Sequence, residues 1–204
     1  MGYALTINGL TTHNLRIVAN EMSEDDFFDF CQKNQNLRIE RDADKTIKIM
    51  EPTGSESGYT EMEVSSELRN WSKEEKTGIA FSPSAGFTMP TGAVRASDAS
   101  WLTLDKWLSL PAADRKKFAH VCPDFIVEVR SESDKLKELK EKMTEWINNG
   151  VRLGWLIDPQ TQISYIYRAD GSIDIIHGFD RKLSGEDVLK GFELDLSLLI
   201  LLEE

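Results

Sequence analysis

The sequence predicts a mixed α/β (α+β) fold, and three observations lead to it. Residues 122–158 contain an apolar strand, a helix and a second apolar strand in succession, which normally form a parallel pair with a right-handed crossover. Residues 78–95 alternate short apolar pieces with Gly, Pro, Ser and Thr, which favours antiparallel strands with tight turns. Residues 162–177 alternate around an Asp-Gly turn, typical of a hairpin. Together they predict one mixed β-sheet flanked by helices.

The composition excludes several classes of protein. A hydrophobic content of 40% and a charged content of 29% are typical of a soluble globular chain. We expect no membrane span or secretory signal, because no apolar run approaches ~20 residues and the N-terminus has no basic start. Two distant cysteines predict reduced thiols and a cytoplasmic location. The net charge of −11 argues against a broadly basic surface that binds nucleic acid non-specifically, but it allows a local basic groove.

The first half of the chain is predicted to open with an irregular N-terminal arm over residues 1–22. A single domain over residues 23–204 then follows. The predicted elements of this half are a helix over 24–32 with Ser23 as its N-cap, strands over 37–41 and 46–50 joined by a turn, and a helix over 59–73.

The second half is predicted to contain the strand–helix–strand unit between shorter elements. These are a strand over 96–101, helical pieces over 104–108 and 112–118, a strand over 125–130, a helix over 134–148, a strand over 153–157 and the hairpin over 162–177. The helix has an apolar face at helical spacing, formed by Leu136, Leu139, Met143, Trp146 and Ile147.

Glu128 interrupts the apolar strand of this unit. By the two-residue period it shares a face with Asp124 and Arg130, and a buried acid is costly unless a neighbour needs its charge. Asp124 lies about 13 Å away along the strand at ~3.3 Å per residue, too far to share an ion bound at roughly 2.0–2.6 Å. Glu128 therefore needs a carboxylate from another strand, and Asp98 is the best placed by context.

Lys142 flanks the apolar face of the helix that follows. Its stem can cover apolar surface while its ammonium reaches the sheet edge near Glu128. Asp98 and Glu128 would then hold Mg²⁺, which lowers the pKa of a bound water and polarises a phosphate oxygen. Lys142 would stabilise the developing negative charge. This chemistry suits phosphodiester hydrolysis.

Simpler roles for these residues stay open at this point. Glu128 could be a structural acid paired with Arg130. Asp98 could cap the turn before Trp101, and Lys142 could be a solvated lysine paired along the helix surface.

An ordered series of blocks resembles the Uma family of restriction endonucleases, within the PD-(D/E)XK nuclease superfamily. The resemblance covers about residues 23–200, in the blocks 37–40, 49–54, 77–101, 123–134, 141–159 and 183–197. It implies a restriction-endonuclease-like core, a site that uses Mg²⁺ with Mn²⁺ as an alternative, and DNA as the substrate.

Carried over by residue, the resemblance makes Asp98 the motif aspartate and Glu128 the acid of the (D/E)X(K) strand. Lys142 matches the lysine on the following helix, and Glu56 matches an acid that supports the metal. Arg130 stands two residues after Glu128, where a lysine is usual. Arg130 could hold a phosphate, but it stays protonated and cannot act as a base.

Two further positions depart from the family pattern. Ser97 precedes Asp98 where proline is common, and Ser131-Glu132-Ser133 replaces Ser-Pro-Ser, which adds a charge beside the site.

The leading hypothesis is a Mg²⁺-dependent endonuclease that cuts DNA with metal-activated water. Its active site would be Asp98, Glu128 and Lys142, with Glu56 and Arg130 in support. The departures leave two alternatives: a catalytically silent domain that binds a partner, and a hydrolase of another phosphate ester. A homodimer is expected, because cutting both strands favours paired sites and soluble oligomers are mostly twofold.

Overall fold

Two β-sheets organise the part of the chain that this computed structural model describes, residues 14–19 and 21–201, without the side chains of residues 14 and 15. The elements in chain order are β1 (Asn14–Val18), α1 (Glu24–Lys33), β2 (Arg38–Arg41), β3 (Thr46–Met50), α2 (Ser55–Glu75), β4 (Gly78–Phe81), β5 (Phe87–Thr88), β6 (Val94–Arg95), β7 (Ala99–Thr103), α3 (Leu104–Ser109), a 3-10 turn (Asp114–Lys116), β8 (Phe125–Val129), α4 (Leu136–Asn148), β9 (Leu153–Asp158), β10 (Ile163–Arg168), β11 (Ile173–His177), β12 (Lys182–Ser184), β13 (Glu193–Asp195) and a second 3-10 turn (Leu196–Leu199).

The central sheet has six strands in the order β11-β10-β9-β8-β7-β4. β8 and β9 are parallel, with Glu128 opposite Leu156, and α4 connects them, so the predicted crossover is confirmed. The other neighbours in this sheet are antiparallel, including the predicted hairpin of β10 and β11. The mixed sheet flanked by helices confirms the predicted fold class.

Both faces of the central sheet are covered, which is why β8 and β9 read as nearly continuous apolar runs. On one face, α2 and the C-terminal segment pack against a cluster that includes Leu68, Trp101, Phe125, Trp155 and Phe192. On the other face lies α4, whose predicted apolar side is confirmed. Its Met143 and Trp146 are fully buried, and Leu136, Leu139 and Ile147 pack against them.

The second sheet has five strands in the order β1-β3-β2-β6-β5. The predicted hairpin of β2 and β3 is confirmed. One face of this sheet packs on α1 through Phe27, Phe30, Ile47 and Ile49. The N-cap prediction for α1 is also confirmed, because Ser23 Oγ accepts a hydrogen bond from the Asp26 N–H at 3.1 Å.

The expectation of an irregular arm over residues 1–22 is wrong for residues 14–18. They form β1, which pairs along its length with β3, from Asn14 opposite Met50 to Val18 opposite Thr46. Polar and apolar residues alternate in this segment, a pattern typical of a strand at a sheet edge. Residues 1–13 lie outside the described residues, and the division into an arm and one domain otherwise stays a prediction.

Three other boundaries differ from the sequence prediction. α2 begins at Ser55 rather than residue 59, and the helical piece over 112–118 is only the short 3-10 turn. The strand predicted over 96–101 is β7, which begins at Ala99. Asp98 therefore precedes the strand, and its carboxylate replaces a ladder acceptor by accepting the Val129 N–H.

Neither cysteine has the properties of a reactive thiol. Cys31 and Cys122 are free, and burial raises the pKa of both to about 12, so the nucleophilic thiolate is disfavoured. No helix in the described ranges combines the length and the apolar character needed to cross a membrane.

The His120 side chain connects the first 3-10 turn to the start of α1 by two hydrogen bonds, a pair of contacts that we call the clip. Its Nδ1 lies 2.7 Å from Asp114 Oδ1, and its Nε2 lies 2.9 Å from Glu24 Oε2. The hydrogen bond to Asp114, followed by that to Glu24, raises the pKa of His120 above its usual 6.5.

The clip should stabilise the fold in a pH-dependent way. A raised folded pKa contributes stability that is fully present below pH 6.5 and lost as the pH rises through the folded value. We expect His120→Gln to lower the free energy of unfolding by up to about 1 kcal/mol at about pH 6, a small value because His120 and Glu24 are exposed. At about pH 9 the same substitution should cause a smaller loss than at about pH 6. Urea unfolding of both proteins at the two pH values measures this. The same difference at both pH values would contradict it.

Candidate active site

A cleft of about 490 Å³ opens between the five-stranded sheet, the carboxyl end of β8 and the side of α4. Asp98, Glu128 and Lys142 all line it. The three residues proposed from the sequence therefore face one compartment, although they come from a loop, a strand and a helix. Glu40 of β2 and Glu61 of α2 line the same cleft.

Asp98 lies immediately before the first residue of β7 and is only 3% exposed. Its Oδ2 accepts the Val129 N–H at 2.7 Å, and its Oδ1 accepts a hydrogen bond from Arg38 Nη2 at 2.7 Å. Its own N–H donates to the Val127 carbonyl at 3.0 Å, and its carbonyl accepts from Ser65 Oγ at 3.1 Å. These bonds tie Asp98 to β8 and to α2, rather than to a turn before Trp101.

Glu128 lies beside it, 2% exposed, in the middle of the buried strand. Trp146 Nε1 donates to its Oε1 at 2.9 Å, and Lys142 Nζ lies 2.9 Å from the same oxygen. Burial raises the pKa of Glu128 to about 7; Lys142 opposes this rise, while Asp98 and Glu40 add to it. Its partners are therefore on α4, and a pair with Arg130 is not what satisfies its charge.

Lys142 is a buried cation with three acceptors around it. Its Nζ lies 2.9 Å from Glu40 Oε1, 2.9 Å from Glu128 Oε1 and 2.9 Å from the Ala96 carbonyl. An ammonium has three donors, so the three acceptors can all be served. Burial alone would lower the pKa of Lys142, but Glu128 and Glu40 keep it above the usual value. Lys142 is therefore a fixed positive charge and not a base.

Glu40 is the second acid of this network, and sequence reasoning gave it no role in the site. It is 4% exposed, and Arg95 Nε lies 3.8 Å from its Oε2. Burial alone would raise its pKa, but Lys142 and Arg95 hold it below the usual range. The available signal was the alternation of polar and apolar residues over 37–41, which puts Glu40 on the face opposite Ile39.

Glu61 is a further acid that the sequence analysis missed. It lies on α2 and lines the cleft, and burial followed by repulsion from Asp98 raises its pKa to about 7. Glu61 stands three residues before Val64 and seven before Leu68, both buried. An acid on the buried stripe of a helix was the signal that pointed to it.

The structure does not bring Glu56 or Arg130 into the cleft. Glu56 is exposed in the first turn of α2, where an acid suits the positive end of the helix dipole. Arg130 Nη1 donates to Asp158 Oδ2 at 2.8 Å, and its Nε donates to the Asp134 carbonyl at 3.3 Å. Its charge is used to satisfy a fully buried acid, and a phosphate contact of Arg130 stays a prediction.

The donors in the cleft fit a hard cation, although they do not form a cage of acids. Within the described ranges, no group of three or more His, Cys, Asp or Glu side chains is placed to hold an ion. Mg²⁺ is commonly held by one or two carboxylates together with water and phosphate oxygens. Both oxygens of Asp98 and Oε2 of Glu128 accept one hydrogen bond each, so each retains an acceptor site.

The fold and the cleft together define a class of protein. A mixed sheet with one acid from the loop before β7, one from β8 and a lysine from the connecting helix α4 is typical of restriction-endonuclease-like nucleases. The sequence agrees: the Uma2 family model, described as "Putative restriction endonuclease", matches residues 24–197, and the chain belongs to this family.

One solved structure shows the same fold, and a second gives a weaker match. The crystal structure of a "putative nuclease belonging to DUF820" from Anabaena variabilis is 20% identical with a TM-score of 0.66, over 79% of this chain and 88% of that one. A DrdV–DNA complex is 10% identical with a TM-score of 0.37, over 55% of this chain and 9% of that one. Comparison with curated proteins gives no match.

Removal of the Lys142 charge should destabilise the fold in a pH-dependent way. Lys142→Met leaves Glu128 buried without a cation, while Glu40 keeps Arg95 at 3.8 Å; breaking a buried pair typically costs about 3–5 kcal/mol. Burial raises the pKa of Glu128 to about 7 even with Lys142 in place, so the loss should be largest at about pH 8 and smaller at about pH 5, where Glu128 binds a proton. Urea unfolding at both pH values measures it.

Lys137→Met is the matched control on the same helix. Lys137 is 88% exposed and lies 3.8 Å from Glu141, so we expect a change within about 0.5 kcal/mol. Equal losses for the two variants would contradict the role of Lys142 in neutralising the buried acids.

Proposed function

We propose that this protein is a Mg²⁺-dependent endonuclease that hydrolyses DNA phosphodiester bonds with metal-activated water. The convergence of Asp98, Glu128 and Lys142 on one cleft is the observation that carries the proposal. Family membership supports the nuclease class, and the metal and the mechanism are our inference from the chemistry of the residues.

Each residue would have a separate task. Asp98 and Glu128 would hold the ion, and Glu61 would add a nearby negative charge. Bound Mg²⁺ or Mn²⁺ would supply an activated water and a polarised phosphate oxygen. Lys142 would stabilise negative charge developing on the phosphate, since its two acids keep it protonated. Trp146 orients Glu128 by hydrogen bonding to Oε1.

The alternative is a catalytically silent domain that keeps the fold to bind a partner. One observation favours it: Arg38 pairs with Asp98, and Lys142 pairs with Glu40 and Glu128. These pairs neutralise the acids within the protein itself. The expected homodimer stays a prediction in both cases.

Loss of the Glu128 carboxylate charge should slow cleavage strongly. We expect Glu128→Gln to slow the nicking of supercoiled plasmid, with Mg²⁺ or Mn²⁺, by about 100-fold or more. Glu61→Gln should slow it to a lesser degree. Glu63→Gln on α2, outside the cleft lining, is the control and should cut normally. A wild-type protein that nicks no DNA, or a Glu128→Gln protein that cuts normally, would sink the endonuclease proposal.

Metal binding gives a readout that is independent of activity. An ion that binds only the native state stabilises it, by about 2.7 kcal/mol at 100 times its Kd. We expect the thermal midpoint of the wild type to rise with millimolar Mg²⁺ or Mn²⁺ and to fall again with EDTA. Asp98→Asn should lose this response. A wild-type midpoint that ignores both ions would favour the silent domain.

A further inference from the structure

The two walls of the cleft differ in charge. The five-stranded sheet contributes Arg16, Arg38 and Lys48, whereas the outer turns of α4 contribute Glu138, Glu141 and Glu145. We call the first set the basic wall. The lysines on the opposite side are already paired, Lys135 with Glu138 and Lys142 with its two buried acids. On the sheet side, Arg38 is paired with Asp98 and Lys48 with Asp42, so Arg16 is the cation of this wall that the described residues leave unpaired. A polyanion that enters the cleft therefore meets attraction on the sheet side and repulsion on the helix side.

The basic wall is continuous with the candidate active site. Arg16 of β1 lies directly opposite Lys48 of β3, and Lys48 lies directly opposite Glu40 of β2. At ~4.8 Å between neighbouring strands, Arg16 is about 10 Å from Glu40. Glu40 in turn holds Lys142. The row of side chains Arg16, Lys48 and Glu40 on three neighbouring strands thus runs from the rim of the cleft to Lys142.

The pairing of Arg16 with Lys48 has a cost in the isolated protein. Like charges directly opposite on neighbouring strands destabilise a sheet. Lys48 is partly neutralised by Asp42 at 2.8 Å. Arg16 is exposed, and no residue in the described ranges forms an ion pair with it. Its charge is therefore available to an external anion, which would also relieve the repulsion across the two strands.

We propose that the basic wall binds the sugar-phosphate backbone of the DNA strand that is cut, on the side of the cleft away from α4. This inference rests on the proposed endonuclease function. About three phosphates at ~3.4 Å of axial rise span the distance from Arg16 to Glu40. Arg16 would hold a phosphate near the rim, and Lys48, which also contacts Asp42, would hold the next one toward the acids.

The salt dependence of DNA binding tests the proposal. Wild type, Arg16→Gln and Arg69→Gln are titrated with a fluorescent duplex in Ca²⁺, which replaces Mg²⁺ to prevent cutting. Arg69 is an exposed arginine on α2 outside the cleft lining, so its loss changes the net charge equally. We expect Arg16→Gln to weaken binding about five- to tenfold at about 0.1 M salt and to reduce the log–log salt slope by about 0.9. Arg69→Gln should match wild type.

The outcomes separate this inference from the proposed function. If wild type binds and nicks DNA, and Arg16→Gln binds with the same affinity and salt slope, the proposal that the basic wall binds DNA is wrong. The endonuclease proposal is then unaffected. If both arginine variants weaken binding equally, the effect is one of net charge and the basic wall is wrong again. If wild type neither binds nor nicks DNA, both proposals fall.

Discussion

One buried ammonium contacts acids of both larger sheets of this protein. Lys142 projects from α4, which covers the central sheet, and contacts Glu128 of that sheet and Glu40 of the five-stranded sheet. Each acid is nearly inaccessible to water, so neither could stay charged there without a cation. This electrostatic contact joins the second sheet to α4 beside the apolar cluster that Phe87 of β5 shares with Met143 and Trp146, and it fixes the charged side of the cleft.

The same network prepares the cleft for chemistry. Arg38 and the Val129 N–H hold Asp98, and Trp146 and Lys142 hold Glu128. Both acids are oriented before any ligand arrives, which reduces the reorganisation needed in a reaction. Burial also raises the pKa of Glu128 and of Glu61 to about 7. Among the described residues, Glu61 has no cation paired with it as closely as Lys142 is paired with Glu128, so the cleft keeps an acid that the proposed divalent ion would complement.

The distribution of charge reconciles a net charge of −11 with the proposed DNA substrate. The acids are concentrated around Asp98 and Glu128 and along the outer face of α4, and the cleft-facing side of the five-stranded sheet carries the basic wall. A DNA backbone needs only a narrow track of cations to be positioned. Such a track gives weaker non-specific binding than a broadly basic surface, because fewer counterions are released.

By itself the sequence determined the elements whose pattern is local. The crossover over 125–158 and the apolar face of α4 follow from periodicity, because one face of each must be buried. Asp98, Glu128 and Lys142 could be proposed as the site because an acid in an apolar strand needs a neighbour for its charge, and the simpler structural roles of the three residues stayed open from sequence alone. The resemblance to a nuclease family supported the same three residues.

Tertiary structure alone decided the remaining partners, since these contacts join distant parts of the chain. Glu61, rather than Glu56, lines the cleft, because α2 packs on the sheet beside Asp98 and leaves Glu56 exposed in its first turn. Arg130 is turned to Asp158 because that buried acid needs a cation. Glu40 and Arg16 enter the site through the five-stranded sheet, whose docking on α4 no local pattern encodes. A buried charge is costly without a partner, and the partner that stabilises it is the one that the complete fold brings near.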